Sequence, residues 1–144
     1  MLPPMARDAW LSHLAKVPMF APCSNKELQQ VAQATIELEV NDGKVLVREG
    51  EPGHECFIIV DGQAEVVRND QQVAVLGPGD VVGELAPLTG GPRTATVTAV
   101  GPLQLLVIGQ REFAGLLEEI PGFANRVLHD LAGRMRELDE KAYG

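Results

Sequence analysis

Residues 83–95 read Gly-Glu-Leu-Ala-Pro-Leu-Thr-Gly-Gly-Pro-Arg-Thr-Ala, and this stretch predicts a site for an anion. Gly83 lets the backbone approach a ligand closely, because glycine carries no side chain. A short helix after Gly83 would direct free N–H groups toward one point, where an anion binds readily. Arg93 begins the next apolar run, and a guanidinium can bind two phosphate oxygens at once. The sequence therefore predicts that Arg93 binds a phosphate.

Glu84 indicates that the ligand is more than a phosphate. A carboxylate next to an anion site is out of place unless it accepts hydrogen bonds from a neutral group. A sugar hydroxyl would serve as that donor. We therefore expect a ligand that presents its phosphate to Arg93 and its sugar to Glu84.

The surrounding sequence consists of short apolar runs separated by turn signals such as Asp61-Gly62 and Gly90-Gly91-Pro92. Many short strands at this spacing predict an antiparallel sandwich or barrel. Pro102 is expected in a connection between two runs, because proline cannot donate a hydrogen bond to a sheet. The predicted strands are Lys44–Arg48, Cys56–Val60, Ala64–Arg68, Gln72–Leu76, Thr94–Ala99 and Leu103–Ile108.

The N-terminal part of the chain is predicted to be helical. Residues 8–17 form one short helical pattern. Ser24 and Glu27 have the spacing of a capping box, in which each side chain bonds the other residue's backbone N–H. An apolar stripe follows at Leu28, Val31 and Ala32. Two helices are therefore expected before the first strand.

The C-terminal part is also predicted to be helical, with a helix over Arg111–Glu119 and another after Pro121. An apolar seam at alternating steps of four and three is typical of a helix that packs lengthwise against a partner. The spacing does not decide between packing over the chain's own sheet and forming a homodimer. The seam consists of Ala124, Leu128, Leu131, Met135, Leu138 and Ala142.

The stretch Gly83–Ala86 with Arg93–Ala95 resembles the phosphate-binding cassette of the cyclic-nucleotide-binding family, which includes bacterial catabolite activators, cyclic-nucleotide-dependent kinases and gated channels. The upstream glycines are similar to that family as well, and the resemblance covers about Phe20 to Leu138. These glycines are Gly43, Gly50, Gly53, Gly62, Gly77 and Gly79.

The resemblance implies a mostly β fold with flanking helices. The expected architecture is an antiparallel, jelly-roll-like β-roll with N-terminal helices, a short phosphate-cassette helix and C-terminal helices. We expect a single cyclic-nucleotide-binding domain over residues 1–144. Its helices would cover residues 8–34 and 110–142, and the β-roll residues 35–109.

The resemblance also assigns roles within the cassette. Arg93 would bind the exocyclic oxygens of the cyclic phosphate, and Glu84 would accept the ribose 2′-hydroxyl, with Gly83 allowing close approach. Leu85 and Ala86 would supply backbone N–H groups to the phosphate.

Further contacts are implied for the base. Thr94 would add a hydroxyl to the phosphate or the base, and Val75, Leu76 and Val82 would form apolar walls. Leu138 falls where family members often present a polar contact to the base, which a leucine side chain cannot make.

The ligand implied by the resemblance is cyclic AMP, with cyclic GMP as the alternative because the Thr94 hydroxyl is compatible with it. We expect a regulatory sensor that relays occupancy through its C-terminal helices to an unidentified effector domain or protein, with no enzymatic activity, catalytic residues, metal or cofactor. One alternative is a degenerate β-roll in which Arg93 pairs with Glu84 and the last helix mediates dimerisation. Another is a small metal-dependent cupin enzyme, although His13, His54 and His129 lie in separate segments.

Composition limits the partners. The 144 residues are 45% apolar and 22% charged, as in an ordinary globular protein. A formal net charge of −8 argues against direct contact with nucleic acid. No apolar run is long enough for a membrane span, and the first ten residues lack a signal-peptide pattern, so the predicted compartment is the cytoplasm. Cys23 and Cys56 are expected to be free thiols, buried or half-buried.

Overall fold

A computed structural model of the protein describes residues 7–83, 90–129 and 132–133. It confirms the predicted fold class, since helices flank a mostly antiparallel β structure. A further helical segment covers residues 123–129. The elements are α1 (Arg7–Leu14), α2 (Asn25–Gln33), β1 (Ile36–Val40), β2 (Val45–Val47), β3 (Cys56–Arg68), β4 (Gln71–Leu76), β5 (Val81–Val82), β6 (Thr96–Ile108) and α3 (Gln110–Glu119).

The capping box at the start of α2 is confirmed. Ser24 Oγ accepts a hydrogen bond from the Glu27 N–H at 3.2 Å, and Glu27 Oε1 accepts one from the Ser24 N–H at 2.9 Å. These two bonds satisfy donors that a helix N-terminus otherwise leaves open. The predicted stripe of Leu28, Val31 and Ala32 is buried, so this is the face of α2 that meets the core.

The sheet is built around two long strands, β3 and β6, of 13 residues each. The strand order is β1–β6–β3–β4, while β2 also pairs with β6 and β5 with β3, and all these pairings are antiparallel. Four of the predicted strands therefore merge into the two long strands β3 and β6. The turn predicted at Asp61-Gly62 is wrong, because β3 continues through it. The register shifts on both sides of Asp61, and Gly62 has φ +97°, so the chain bends here by a bulge and not by a turn.

The prediction that Pro102 lies in a connection is also wrong, because Pro102 lies within β6. On β3, Asp61 pairs with Gln104 and Gln63 with Val100, which places Pro102 opposite the bulge. No residue of the described strands is paired with Pro102. Its missing N–H therefore removes no ladder hydrogen bond.

β1 is absent from the predicted runs, although it lies inside the predicted β-roll. Its sequence alternates apolar and acidic residues, and it pairs with β6 from Ile36↔Val107 to Val40↔Leu103. Ile36 is nevertheless 69% exposed, so β1 is less buried than the long strands β3 and β6.

Buried side chains form two clusters on opposite faces of β3. Cys56, Ile58 and Val60 face the helices, whereas Phe57 and Ile59 face the inside of the roll, as the period of a strand requires. Between the helices, the Phe20 and Phe123 rings stack with centroids 5.6 Å apart. Both cysteines are buried and neither forms a disulfide, as predicted.

Within the described residues, the apolar seam predicted for the last helix does not face the core. Phe123 and Val127 are buried, whereas Ala124 is exposed and Leu128 is 62% exposed. Packing over the chain's own sheet therefore does not hold for Ala124 and Leu128, and the homodimer interpretation stays a prediction. The rest of the seam (Leu131, Met135, Leu138 and Ala142) lies outside the described residues. Within the described part, no helix is long and apolar enough to cross a membrane.

The bend at Gly62 yields a stability prediction. A Cβ at Gly62 would lie 2.5 Å from the Pro102 carbonyl oxygen, whereas one at Gly43, which also has positive φ (+82°), meets nothing within 4 Å. We expect Gly43→Ala to lower the free energy of unfolding by about 1–2 kcal/mol through backbone strain alone. Gly62→Ala should cost about 1–3 kcal/mol more, because the backbone of β6 must also move. Urea unfolding followed by circular dichroism measures both, and equal losses would contradict the packing at the bulge.

Candidate functional site

The segments before β3 and β6 lie side by side and position Arg93. The Arg93 N–H donates to the Glu51 carbonyl at 2.8 Å, and the Gly50 N–H donates to the Arg93 carbonyl at 2.8 Å. The Gly53 N–H donates to the Gly91 carbonyl at 3.3 Å. These backbone hydrogen bonds fix the position of the Arg93 backbone, and therefore the position from which the Arg93 side chain extends.

The Arg93 guanidinium lies between two glycines that are distant in sequence. A Cβ at Gly53 would clash with Arg93 Nε, and a Cβ at Gly83 would clash with Nη1. Arg93 Nη2 donates to the Glu55 carbonyl at 3.0 Å. At both glycines the Arg93 side chain approaches the backbone so closely that an added Cβ would displace the guanidinium. Sequence reasoning treated Gly53 only as a turn glycine of the family pattern and missed this contact.

One donor of the guanidinium has no acceptor among the described residues. Arg93 Nη1 is buried and makes no hydrogen bond. Burial lowers the pKa of Arg93, while the charges of Glu55 and Cys56 act in the opposite direction. A buried donor without a partner costs about 1–3 kcal/mol. The site can therefore gain free energy from an acceptor, and an anion is the acceptor that a guanidinium binds best.

Gly83 begins the predicted cassette, and the structure brings it next to Arg93. β5 precedes it and pairs with β3 through Phe57↔Val82 and Ile58↔Val81. Gly83 has φ +72°, and a Cβ there would also lie 3.0 Å from the Glu55 carbonyl oxygen. The next three predicted contact residues, Glu84, Leu85 and Ala86, lie outside the described residues.

The other predicted contacts are dispersed. Val82 is buried in the cluster inside the roll, Leu76 packs partly buried against it, and Val75 is 53% exposed. Thr94 is exposed, and its carbonyl accepts a hydrogen bond from Arg68 Nε at 3.0 Å. Leu138 lies outside the described residues. The structure thus brings Gly83 and Arg93 together, and Val82 and Leu76 together.

His54 was not singled out for this site by the sequence. A Cβ at Gly90, which has φ +61°, would lie 2.6 Å from the His54 imidazole Cε1. The His54 imidazole therefore packs closely against the backbone of Gly90. No local signal identifies this contact, because it depends on the pairing of two segments that are distant in sequence.

A metal centre of the kind a cupin enzyme needs has no counterpart in the described part of the chain. There, no three His, Cys, Asp or Glu side chains are grouped closely enough to hold an ion. The chemistry that the described site offers is that of a cation with an open donor. Such a donor can form a charge-assisted hydrogen bond with an anion.

Comparison with known proteins places this geometry in context. A family model described as cyclic nucleotide-binding domain matches residues 37–120. The cAMP-dependent protein kinase regulatory subunit of Mycosarcoma maydis is 36% identical over 129 residues, which cover 83% of this chain and 25% of that protein. The chain spans about a quarter of the length of the curated relatives it matches.

Solved structures are similar over most of the chain. The catabolite activator protein of Thermus thermophilus superposes with a TM-score of 0.81 at 25% identity, covering 87% of this chain and 61% of that one. The regulatory domain of Toxoplasma gondii PKA, solved with cAMP, gives 0.76 at 26% identity, covering 89% and 50%.

The contact between Gly53 and Arg93 can be tested directly. Gly53 does not have positive φ, so alanine fits its backbone, but the methyl group occupies the space of Arg93 Nε. We expect Gly53→Ala to shift the Arg93 Nε–H signal in ¹⁵N spectra and to lower the free energy of unfolding by about 1–3 kcal/mol, because the bond to Glu55 is lost. Gly77→Ala is the control, since a Cβ there meets nothing within 4 Å. An Arg93 signal that is the same in both variants would refute the placement of the guanidinium.

Proposed function

The chain belongs to the cyclic nucleotide-binding domain family, and from that premise we propose that it binds cyclic AMP as a regulatory sensor. The observation that carries the proposal is the buried Arg93 Nη1, which lies beside Gly83 and has no acceptor among the residues that the structure describes. A cyclic phosphate diester offers the missing acceptor, because it carries one negative charge spread over two exocyclic oxygens.

In this proposal the phosphate adds to the contacts of Arg93 without replacing them. Nη1 donates to an exocyclic oxygen while Nη2 keeps its bond to the Glu55 carbonyl. The guanidinium is already oriented by its position between Gly53 and Gly83, so little rotamer entropy is lost on binding. A site held in its bound geometry converts more of the gross interaction energy into affinity.

The sugar and base contacts in the proposal come from the family resemblance. Glu84 accepts the ribose 2′-hydroxyl, and the N–H groups of Leu85 and Ala86 complete the phosphate site. Thr94 adds a hydroxyl, and Val75, Leu76 and Val82 form the apolar side of the base site. The exposure of Val75 (53%) is consistent with a wall that the base covers on binding.

The choice of cyclic AMP is supported by the relatives. The regulatory subunit of Mycosarcoma maydis is named for dependence on cAMP, and the Toxoplasma gondii regulatory domain was solved with cAMP. Both are regulatory by name, which also favours action by binding and not by catalysis. The Thr94 hydroxyl keeps cyclic GMP as the competitor that an experiment must exclude.

We also propose that occupancy is relayed through β3 to the helices and from there to an effector. Glu55, which anchors Arg93, immediately precedes β3. β3 packs on the inside of the roll through Phe57 and on the helices through Cys56 and Ile58. A ligand shifts such an equilibrium only if it binds one arrangement more tightly than the other.

Removal of the Arg93 guanidinium should abolish tight binding. We expect Arg93→Ala to weaken cyclic AMP binding by about two orders of magnitude or more, since charge-assisted hydrogen bonds contribute about 1.5–3 kcal/mol and each 1.4 kcal/mol is tenfold in affinity. Arg111→Ala, at an exposed position on α3, is the matched control and should change little.

Isothermal titration calorimetry with cyclic AMP and cyclic GMP in parallel measures both affinities. Equal affinity of the wild type and Arg93→Ala would contradict the site. A clear preference for cyclic GMP would overturn the choice of nucleotide, and no binding of either would favour the degenerate roll.

The relay predicts a change far from the ligand. Cyclic AMP should alter amide hydrogen exchange across residues 110–129 in the wild type, because these helices re-dock on the ligand-bound roll. In Arg93→Ala the same nucleotide concentration should leave these amides unchanged. Protection confined to the strands around Arg93, with no change in residues 110–129, would remove the relay and leave the binding proposal intact.

A further inference from the structure

The buried side-chain atoms without hydrogen-bond partners include a second guanidinium besides that of Arg93. Arg126 Nε is buried and has no acceptor among the described residues. Arg126 belongs to the helical segment 123–129 and contacts neither Gly53 nor Gly83, so the nucleotide site does not account for it. As at Arg93, a buried donor without an acceptor lowers the stability of the fold.

The contacts that Arg126 does make are weak. Its Nη2 donates to the Cys23 thiol sulfur at 3.4 Å, and sulfur is a poor acceptor. Its Cζ lies 5.9 Å from the centroid of the Phe123 ring. Burial raises the pKa of the Cys23 thiol, with the positive charge of Arg126 opposing, so the partner is a neutral thiol and not a thiolate.

A nearby carboxylate is already engaged. The charge of Glu27 acts on Cys23 and so lies close to this cluster. Glu27 Oε1, however, accepts the Ser24 N–H at 2.9 Å as half of the α2 capping box. Turning Glu27 toward Arg126 would open the N-terminus of α2.

A groove opens beside Arg126, between the connection after α1 and the helical segment 123–129. Its volume is about 410 Å³. One side is apolar and the other carries hydrogen-bonding groups. Its lining residues, which define the Arg126 groove, are Pro18, Met19, Pro22, Asn125, Arg126 and His129.

We infer that the Arg126 groove is a second binding site, for a ligand that carries a carboxylate on a short aliphatic body. The guanidinium turns from the Cys23 thiol so that Nε–H and Nη2–H bind the two carboxylate oxygens, while the aliphatic body packs on Pro18 and Pro22. Asn125 and His129 supply further hydrogen bonds at the polar side.

A carboxylate fits better than other acceptors for two reasons. Adjacent N–H groups on one edge of a guanidinium match the two oxygens of a planar carboxylate, and this paired geometry is the strong form of the interaction. A neutral amide offers only one acceptor atom and no charge. The ligand can be a free organic acid or an acidic side chain of a peptide, because both present the same group.

The Nε–H resonance of Arg126 tests the proposal in the chain of residues 1–144. The probe is 4-methylpentanoate, and 4-methylpentanamide is the control with the same body and no charge. We expect the acid to shift the Arg126 Nε–H signal saturably. The apparent dissociation constant from this shift should be at least tenfold lower than the one for any shift at exposed Arg111. The amide should have no effect at the same concentration.

Substitutions sharpen the result. Arg126→Lys keeps the charge but loses the paired N–H edge, so binding of the acid, followed at the Met19 methyl signal, should weaken at least tenfold. Cys23→Ala removes the competing acceptor and should leave binding equal or tighter. Equal shifts from acid and amide, or an Arg111 response at the same concentration, would overturn the proposal, and the wild-type comparison holds even if a variant fails to fold.

A second arm identifies the source of the carboxylate. The peptide acetyl-Leu-Glu-Leu-amide is compared with acetyl-Leu-Gln-Leu-amide. Tighter binding of the Glu peptide than of 4-methylpentanoate indicates an acidic peptide, and tighter binding of the free acid indicates a small organic acid. Failure of both acids to bind would refute the site.

Discussion

The guanidinium of Arg93, fixed between Gly53 and Gly83 and anchored on the Glu55 carbonyl, is the constraint around which the functional half of the molecule is organised. It packs against the backbone of both glycines and lies where the segments before β3 and β6 meet. Its Nη1 is buried and finds no acceptor in the described part of the chain. A cation in this situation favours an anionic ligand over any neutral one.

β3 connects this site to the rest of the chain. Its alternate residues belong to two different clusters, one inside the roll and one beneath the helices. In a close-packed interior, a displacement on one face of a strand is felt on the other, because there is little free volume to absorb it. The cluster beneath the helices also contains the stacked rings of Phe20, from the connection between α1 and α2, and Phe123, from the helical segment 123–129.

The sequence predicted the fold class, the capping box at Ser24 and the meeting of Gly83 with Arg93, because these depend on local patterns and a recognisable motif. It did not predict that Gly62 and Pro102 lie inside long strands. Asp-Gly is compatible with both a turn and a bulge, and only the partner strand decides between them. The contacts of Gly53 with Arg93 and of Gly90 with His54 were not predicted for the same reason, because they join segments that pair only in the folded chain. The roles that the resemblance implies for Glu84, Leu85 and Ala86 stay predictions, because these residues lie outside the described part of the chain.

The most direct test of the central claim observes the phosphate itself. In a ³¹P titration of cyclic AMP with the purified protein, the account predicts a shifted phosphorus resonance that saturates at one nucleotide per chain. A phosphorus resonance that stays unchanged at millimolar protein and nucleotide would contradict the account.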